Sequence, residues 1–405
     1  GVGAGGLLPL TFIIIADSFT IAERARVQGF FSSVWGVSSI VGPLLGGFLV
    51  DAVAWQWVFF VNLVPGGIAA VLVWSMLKER RPAAARPRVD YPGALLLTGG
   101  LTALLLRLFA LERPSGWLLL GLALLLLLAL VLVERRAADP IVPLPLFRDR
   151  LFTVACLHGL LAGCALFGST AFVPLLVQAS AGTSATVAGA TLTPMLLAWV
   201  LASIVGSRLL LRVNYRFLAL TGMVLLTLGS LLLWRLTETG SQAVLVLSTG
   251  LMGGGMGLSI PAFLIAVQST VSRRVLGAAT SSLQFSRSIG GTIGVSVMGV
   301  VLSTRLAAAL SASSLDPAVM TLDRLLEPMQ HVVNPSDATL RTALIEAMGG
   351  VFLIALLAAG AGLIATALAP GGHVTQLASR KARDAQDERQ GTAVHQLDDT
   401  LPVQH

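Results

Sequence analysis

Residues Gly29 to Gly47 read GFFSSVWGVSSIVGPLLGG, a stretch with no charged residue. On a helix turning about 100° per residue, Ser38, Gly42 and Gly46 fall on one stripe, with Trp35 above it. A small-xxx-small stripe lets a second helix backbone come close, which is how helices pack where lipid removes the hydrophobic drive. Pro43 takes away one backbone donor and loosens or bends the helix at that level.

The stretch occurs twice. Gly29, Ser38, Gly42, Pro43 and Gly46 recur as Gly277, Ser286, Gly290, Gly291 and Gly294, at a constant offset of 248. The segment before each copy repeats as well: Gly1, Gly3, Gly5 and Pro9 match Gly253, Gly255, Gly257 and Pro261, at an offset of 252. A four-residue deletion in the connecting loop reconciles the two offsets. Two neighbouring helices repeated in parallel are the mark of a two-halved transporter.

The rest of the composition agrees. Of 405 residues, 55% are hydrophobic and 12% charged, with mean hydropathy +0.84. A soluble domain carries roughly a quarter charged residues, so the expected class is an all-α polytopic membrane protein. Cys156 and Cys164 are eight positions apart in one apolar run. On a helix that is a rise of about 12 Å, too far for a disulfide. The chain starts at Gly1 with no basic leader, which reads as a fragment. No metal-ligand cluster and no Ser/His/Asp set stands out, and Gly250–Gly257 has no basic anchor, so it is not a P-loop. Enzymatic chemistry, a metal and a cofactor are therefore not expected.

Eleven spans are expected, at 1–16, 27–50, 56–77, 91–111, 116–133, 152–178, 186–211, 216–236, 243–268, 280–304 and 345–368. If they alternate, twenty of the 27 Lys and Arg fall in one set of connections and five in the other, with Arg107 and Arg287 inside spans. Basic connections stay cytoplasmic, so the C-terminus is expected inside the cell. The net charge of +7 is then a topology signal and not a nucleic-acid footprint. A short amphipathic piece around Leu322–Met329 is expected to lie on the membrane surface.

The repeat also divides the chain. Three spans precede the repeated pair in the second half and none in the first. The expected units are an incomplete first half at 1–77, an inserted two-helix hairpin with its cytoplasmic loops at 78–151, a complete six-helix half at 152–369, and a disordered cytoplasmic tail at 370–405. Symmetry implies three further helices upstream and a parent of fourteen spans.

These residues resemble the fourteen-spanner drug:proton antiporter family (EmrB/QacA type) of the major facilitator superfamily. Gly29, Ser38, Gly42, Pro43, Gly46 and Gly47 match its antiporter motif, with Ser38 in place of a glycine. The run from Trp55 through Trp57, Phe59 and Asn62 to Pro65-Gly66 resembles the aromatic entry to its sixth helix, and Asp90-Tyr-Pro-Gly93 the start of its seventh. Asp17 and Glu23-Arg24 resemble its cytoplasmic gate loop, and Phe285-Ser-Arg287-Ser-Ile-Gly290-Gly291 its thirteenth helix. The resemblance implies a major facilitator fold in a bacterial plasma (inner) membrane. It implies export of lipophilic or amphipathic small molecules, driven by protons, with accessory efflux proteins as further partners. A dedicated metabolite exporter or an uptake carrier is the alternative within transport; a non-transporting scaffold or sensor is the alternative outside it.

Each candidate has a plain reading beside the functional one. The Ser38–Gly42–Gly46 stripe is either a gating helix facing its repeat mate or simple close packing. Arg287, beside Ser286, either faces a cavity or gate or snorkels to the surface. His158 either relays protons or bonds a neighbour. Trp35, Phe172 and Trp199 either stack on a planar ligand or pack, and Gln284 either lines a cavity or closes a helix contact. No Asp or Glu lies at mid-span, so a coupling carboxylate must come from a span end or from upstream.

Overall fold

A computed structural model describes residues 2–20, 56–76, 90–109, 116–137, 140–142, 144–181, 185–239, 241–272, 275–312 and 338–377. Between 21 and 55 it describes Glu23, Arg24, Arg26, Val27, Gly29, Phe30, Phe31, Val34, Val37, Ser38, Val41, Gly42, Leu45, Leu49 and Ala54. All of these from Glu23 to Leu49 are helical. The Leu322–Met329 piece lies outside the described residues.

The order of elements is α1 (Val2–Ser18), α2 (Trp57–Phe60), α3 (Leu63–Met76), α4 (Tyr91–Phe109), α5 (Gly116–Glu134), a 3-10 turn (Leu144–Arg148), α6 (Arg150–Ala181), α7 (Ala185–Ala190), α8 (Thr193–Leu209), α9 (Tyr215–Thr239), α10 (Gln242–Thr270), α11 (Leu276–Ala312) and α12 (Ala338–Ala367). No strand occurs among the described residues, and eight of the helical stretches are long and apolar enough to cross a membrane.

The helices from α6 to α12 form one packed bundle. α6 lies against α11 and α12, α10 against α8 and α9, and α9 against α12. Two buried clusters fill it. One gathers Leu166, Met223, Met252, Met298 and Phe352; the other gathers Phe152, Tyr215, Phe263, Ala279 and Val374. The first is built largely from Ala, Leu and Met, the second from Ala, Leu and Val, and the tightest contacts use Gly and Ser. Lipid tails are as apolar as these side chains, so close packing, not exclusion from water, holds the helices together.

α4 and α5 form an antiparallel hairpin. Gly99 and Gly100 of α4 meet Leu126 and Leu127 of α5, with Ala103 and Ala123 buried between them. At its foot Asp90 Oδ1 accepts from the Gly93 amide at 2.9 Å, capping α4. Glu134, 4% exposed, accepts from the Val142 amide at 3.2 Å and folds the next loop back. α4 also touches α11, and α1 touches α11 through Ile13 and Gly277. By contrast α2 and α3 carry no buried residue; Trp74 is 92% exposed.

Three elements differ from the reading of the sequence. The span expected at 186–211 is present over Ala188–Leu209 but its helix is interrupted by a turn at Thr191–Leu192, because Pro194 in the first turn of α8 has no N–H to continue a helix from before it. α11 runs on to Ala312, where the alanine-rich stretch 307–309 keeps helix propensity high past the apolar span. The disorder expected from 370 does not hold for 370–377. Val374 is fully buried and residues 374–377 are helical, because this strap packs on the foot of α9. Residues 378–405 lie outside the described residues.

Candidate functional site

The second copy of the repeat forms a seam with α6. A Cβ on Gly290 would overlap the Leu160 carbonyl oxygen, and one on Gly294 would lie 2.6 Å from the Cys164 carbonyl oxygen. A Cβ on Gly291 would come within 2.9 Å of the Phe167 ring. The contact is reciprocal. Gly163 of α6 faces the Arg287 carbonyl, a Cβ on Gly159 would lie 3.5 Å from Leu283 O, and Gly168 faces Met298. Real Cβ atoms do not approach that closely, so backbone meets backbone along about three turns.

α10 repeats the arrangement. Cβ atoms on Gly253 and Gly257 would overlap the Met195 and Trp199 carbonyls of α8, and one on Gly255 the Gly222 carbonyl of α9. The first-copy mates stand in a different environment. Among the described residues nothing lies within 4 Å of where a Cβ would sit on Gly3, Gly5 or Gly42. Ser38 is exposed, and Gly29 is the one described motif glycine in contact, with Ile204 of α8 at 3.7 Å. Trp35, Pro43, Gly46 and Gly47 lie outside the described residues.

The loop after α1 is organised by its charges. Glu23 Oε2 accepts from the Thr20 amide and from its hydroxyl, each at 2.8 Å, the N-terminal box of the helix that follows. Those two bonds, with the Arg26 charge behind them, hold the Glu23 carboxyl below its ordinary range. Arg24 donates from Nε to the Phe19 carbonyl at 2.9 Å and from its guanidinium to the Ala16 carbonyl. Its charge therefore sits on the open carbonyls at the C-terminal end of α1. Only the backbone of Asp17 is described, as the penultimate residue of α1.

His158 is 2% exposed in α6. Its Nδ1 lies 3.1 Å from Thr366 Oγ1 and its ring 4.7 Å from that of Phe263, while Nε2 has no partner. Arg287 is half-buried, and its Cβ lies 3.8 Å from the Cβ position of Gly159, the residue after His158. Gln284, one turn below, is buried at 7% exposure. Phe172 is committed to the core at 6% exposure, and Trp199 packs against the same cluster from its edge. The structure therefore brings Arg287, His158 and the Gly290 stripe to one place and leaves Phe172 in packing.

The sequence reading missed Gly159, Gly163 and Thr366. The first two have the four-residue spacing that drew attention to Gly290 and Gly294, so the signal was there; Thr366 had none. Among the described residues no group of three His, Cys, Asp or Glu side chains is close enough to hold a metal ion.

Long apolar helices and backbone-to-backbone seams define a multi-pass helical membrane protein. The family model described as Major Facilitator Superfamily matches residues 1–295, and the chain belongs to that superfamily. It is 36% identical over 311 residues to the multidrug transporter protein MdtP of Bacillus subtilis, covering 75% of this chain and 57% of that protein. It is 33% identical over 310 residues to multidrug resistance protein 3 of Bacillus subtilis (74% and 60% covered). It is 32% identical over 310 residues to the methylenomycin A resistance protein of Streptomyces coelicolor (75% and 64% covered). The chain thus spans 57–64% of the length of these relatives.

Proposed function

We propose that this chain is part of a fourteen-span drug:proton antiporter that exports amphipathic small molecules across a bacterial inner membrane, with its C-terminus in the cytoplasm. The observation that carries this is the contrast between repeat mates. Gly290 and Gly255 are closed against backbone, whereas Gly42 and Gly3, their mates, have open space. An intramembrane glycine stripe serves close approach, so the first copy calls for partners equivalent to α6, α8 and α9. Three more helices in the parent supply them and complete two matching halves. Alternating access then rocks one half against the other about a site between them. Gly29 against Ile204 of α8 supplies a contact across that boundary.

The charge pattern supports the orientation, since basic connections gather on one side. Resistance proteins among the relatives support export of drug-like compounds. The coupling group belongs in the cavity of the whole parent; among the described spans, carboxylates stand at the ends, as Glu134 and Glu346 do.

The test uses everted membrane vesicles from cells expressing the complete coding sequence that contains residues 1–405. An acidic interior is set by respiration and read with an acridine dye. Adding a transported drug should release protons and restore the dye signal, and a protonophore should abolish drug uptake. Drug uptake that persists without a proton gradient would remove antiport from the account.

A further inference from the structure

Arg287 stands inside the C-terminal bundle, and among the described residues no acidic residue is placed to meet it. Ile13 of α1 lies against Gly277, close to the cytoplasmic start of α11. Arg287 is ten residues further along, a rise of roughly 15 Å. That is about a third of the way along the 34-residue apolar span Leu276–Ala309. His158 is at the same level, because Gly159 beside it meets Leu283 and Arg287.

Every helix packed on α11 can be searched for a counter-charge. α6, α10 and α4 contain no Asp or Glu. α1 has Asp17, four residues to the cytoplasmic side of Ile13 and so on the far side of Gly277 from Arg287. α12 has Glu346, exposed and one turn outward from Gly350, which meets the Arg305 side chain near the other end of α11. Asp90 caps the foot of α4. Among the described residues none stands at the level of Arg287. A guanidinium at this depth needs a partner or water. The His158 ring offers a second open polar atom, Nε2, inside a site where Thr366 holds Nδ1 and Phe263 backs the ring.

We propose that Arg287 and His158 form a binding site for an anionic group, a carboxylate, sulfonate or phosphate carried on an apolar body. The inference rests on the exporter reading above and gives it a substrate class: acidic amphiphiles. Arg287 supplies charge and paired N–H donors, the geometry such oxyanions fit best. His158 Nε2 supplies one further hydrogen bond, and the surrounding apolar side chains take the ligand body. An anionic lipid headgroup has the same chemistry as an acidic substrate.

The test is equilibrium binding to purified chain in nanodiscs of zwitterionic lipid, with radiolabelled 1-naphthylacetate as the acid and 1-naphthylmethylammonium as a cation of similar shape. The acid should bind saturably and at least tenfold more tightly than the cation, as a charge-assisted hydrogen bond gives. Arg287→Gln should weaken the acid at least tenfold and leave the cation unchanged; Arg287→Lys should recover most of the loss; His158→Leu should cost a smaller factor. Equal binding of the two probes to the unmodified chain would overturn the proposal, and that comparison needs no variant to fold. So would acid binding unchanged by Arg287→Gln. Adding phosphatidylglycerol tells the sources apart: displacement of the acid assigns the site to lipid headgroups, and no displacement assigns it to acidic ligands. Acid binding without proton-linked export would remove the exporter reading alone. Export of neutral drugs with indiscriminate probe binding would remove this site alone.

Discussion

Glu23 and Tyr215 show how single residues close the ends of helices. Glu23 receives two hydrogen bonds from Thr20, so its folded-state pKa lies below the unperturbed 4.5. A lowered carboxyl adds stability that is present above the unfolded value and is lost as pH falls through the folded one. Carbon NMR of Glu23 should therefore give a midpoint below 4.5, and Thr20→Val, which deletes one of the two bonds, should move it upward. An unchanged midpoint in that variant would contradict the assigned bond. Tyr215 donates from its hydroxyl to the Pro370 carbonyl at 2.5 Å, its amide donates to Gly372 O, and Arg216 reaches Ala367 O at 2.6 Å. Tyr215→Phe should lower stability by about 0.5–1.5 kcal/mol. It should also speed hydrogen exchange across residues 370–377. Exchange that does not change there would mean the strap is held by Val374 and its apolar contacts alone.

At the scale of the element, the seam between α6 and α11 separates two kinds of glycine. Gly290 and Gly294 face backbone carbonyls, so alanine must push the helices apart; Gly250 and Gly360 have nothing within 4 Å. Gly290→Ala and Gly294→Ala should each cost about 1–3 kcal/mol, the usual range for overpacking. Gly250→Ala and Gly360→Ala should be neutral or slightly stabilising, since alanine suits a helix better than glycine. Thermal unfolding in detergent separates the pairs, and equal shifts for both would mean the seam relaxes freely. The helices themselves were legible from sequence, because an apolar run of spanning length has few other uses. The α7–α8 break was not read, although Pro194 was visible. Which surface a glycine stripe would meet was not legible either: spacing places Ser286, Gly290 and Gly294 in line, but Leu160 and Cys164 became their partners only through the fold. His158 was visible as an odd polar residue, while its pairing with Thr366 joins positions 208 apart.

For the whole molecule, the repeat makes the strongest demand. The bundle from α6 to α12 is filled by two clusters that run from Phe352 and Met298 to Tyr215 and Val374. The spans before it contribute Phe12 and Ala16 to that core, while α2 and α3 keep their apolar faces open. If the halves are equivalent, Gly42 in the complete protein meets a carbonyl as Gly290 does here, although nothing among the described residues lies within 4 Å of its Cβ position. The most direct measurement is energy-dependent dye efflux from a pump-deficient strain expressing the complete coding sequence, either unmodified or with Gly42→Leu. The account predicts protonophore-sensitive efflux for the unmodified protein, and loss of efflux at normal membrane levels for Gly42→Leu. Full efflux by Gly42→Leu would contradict it, because a side chain of that size has no room in a seam like the one between Gly290 and Leu160.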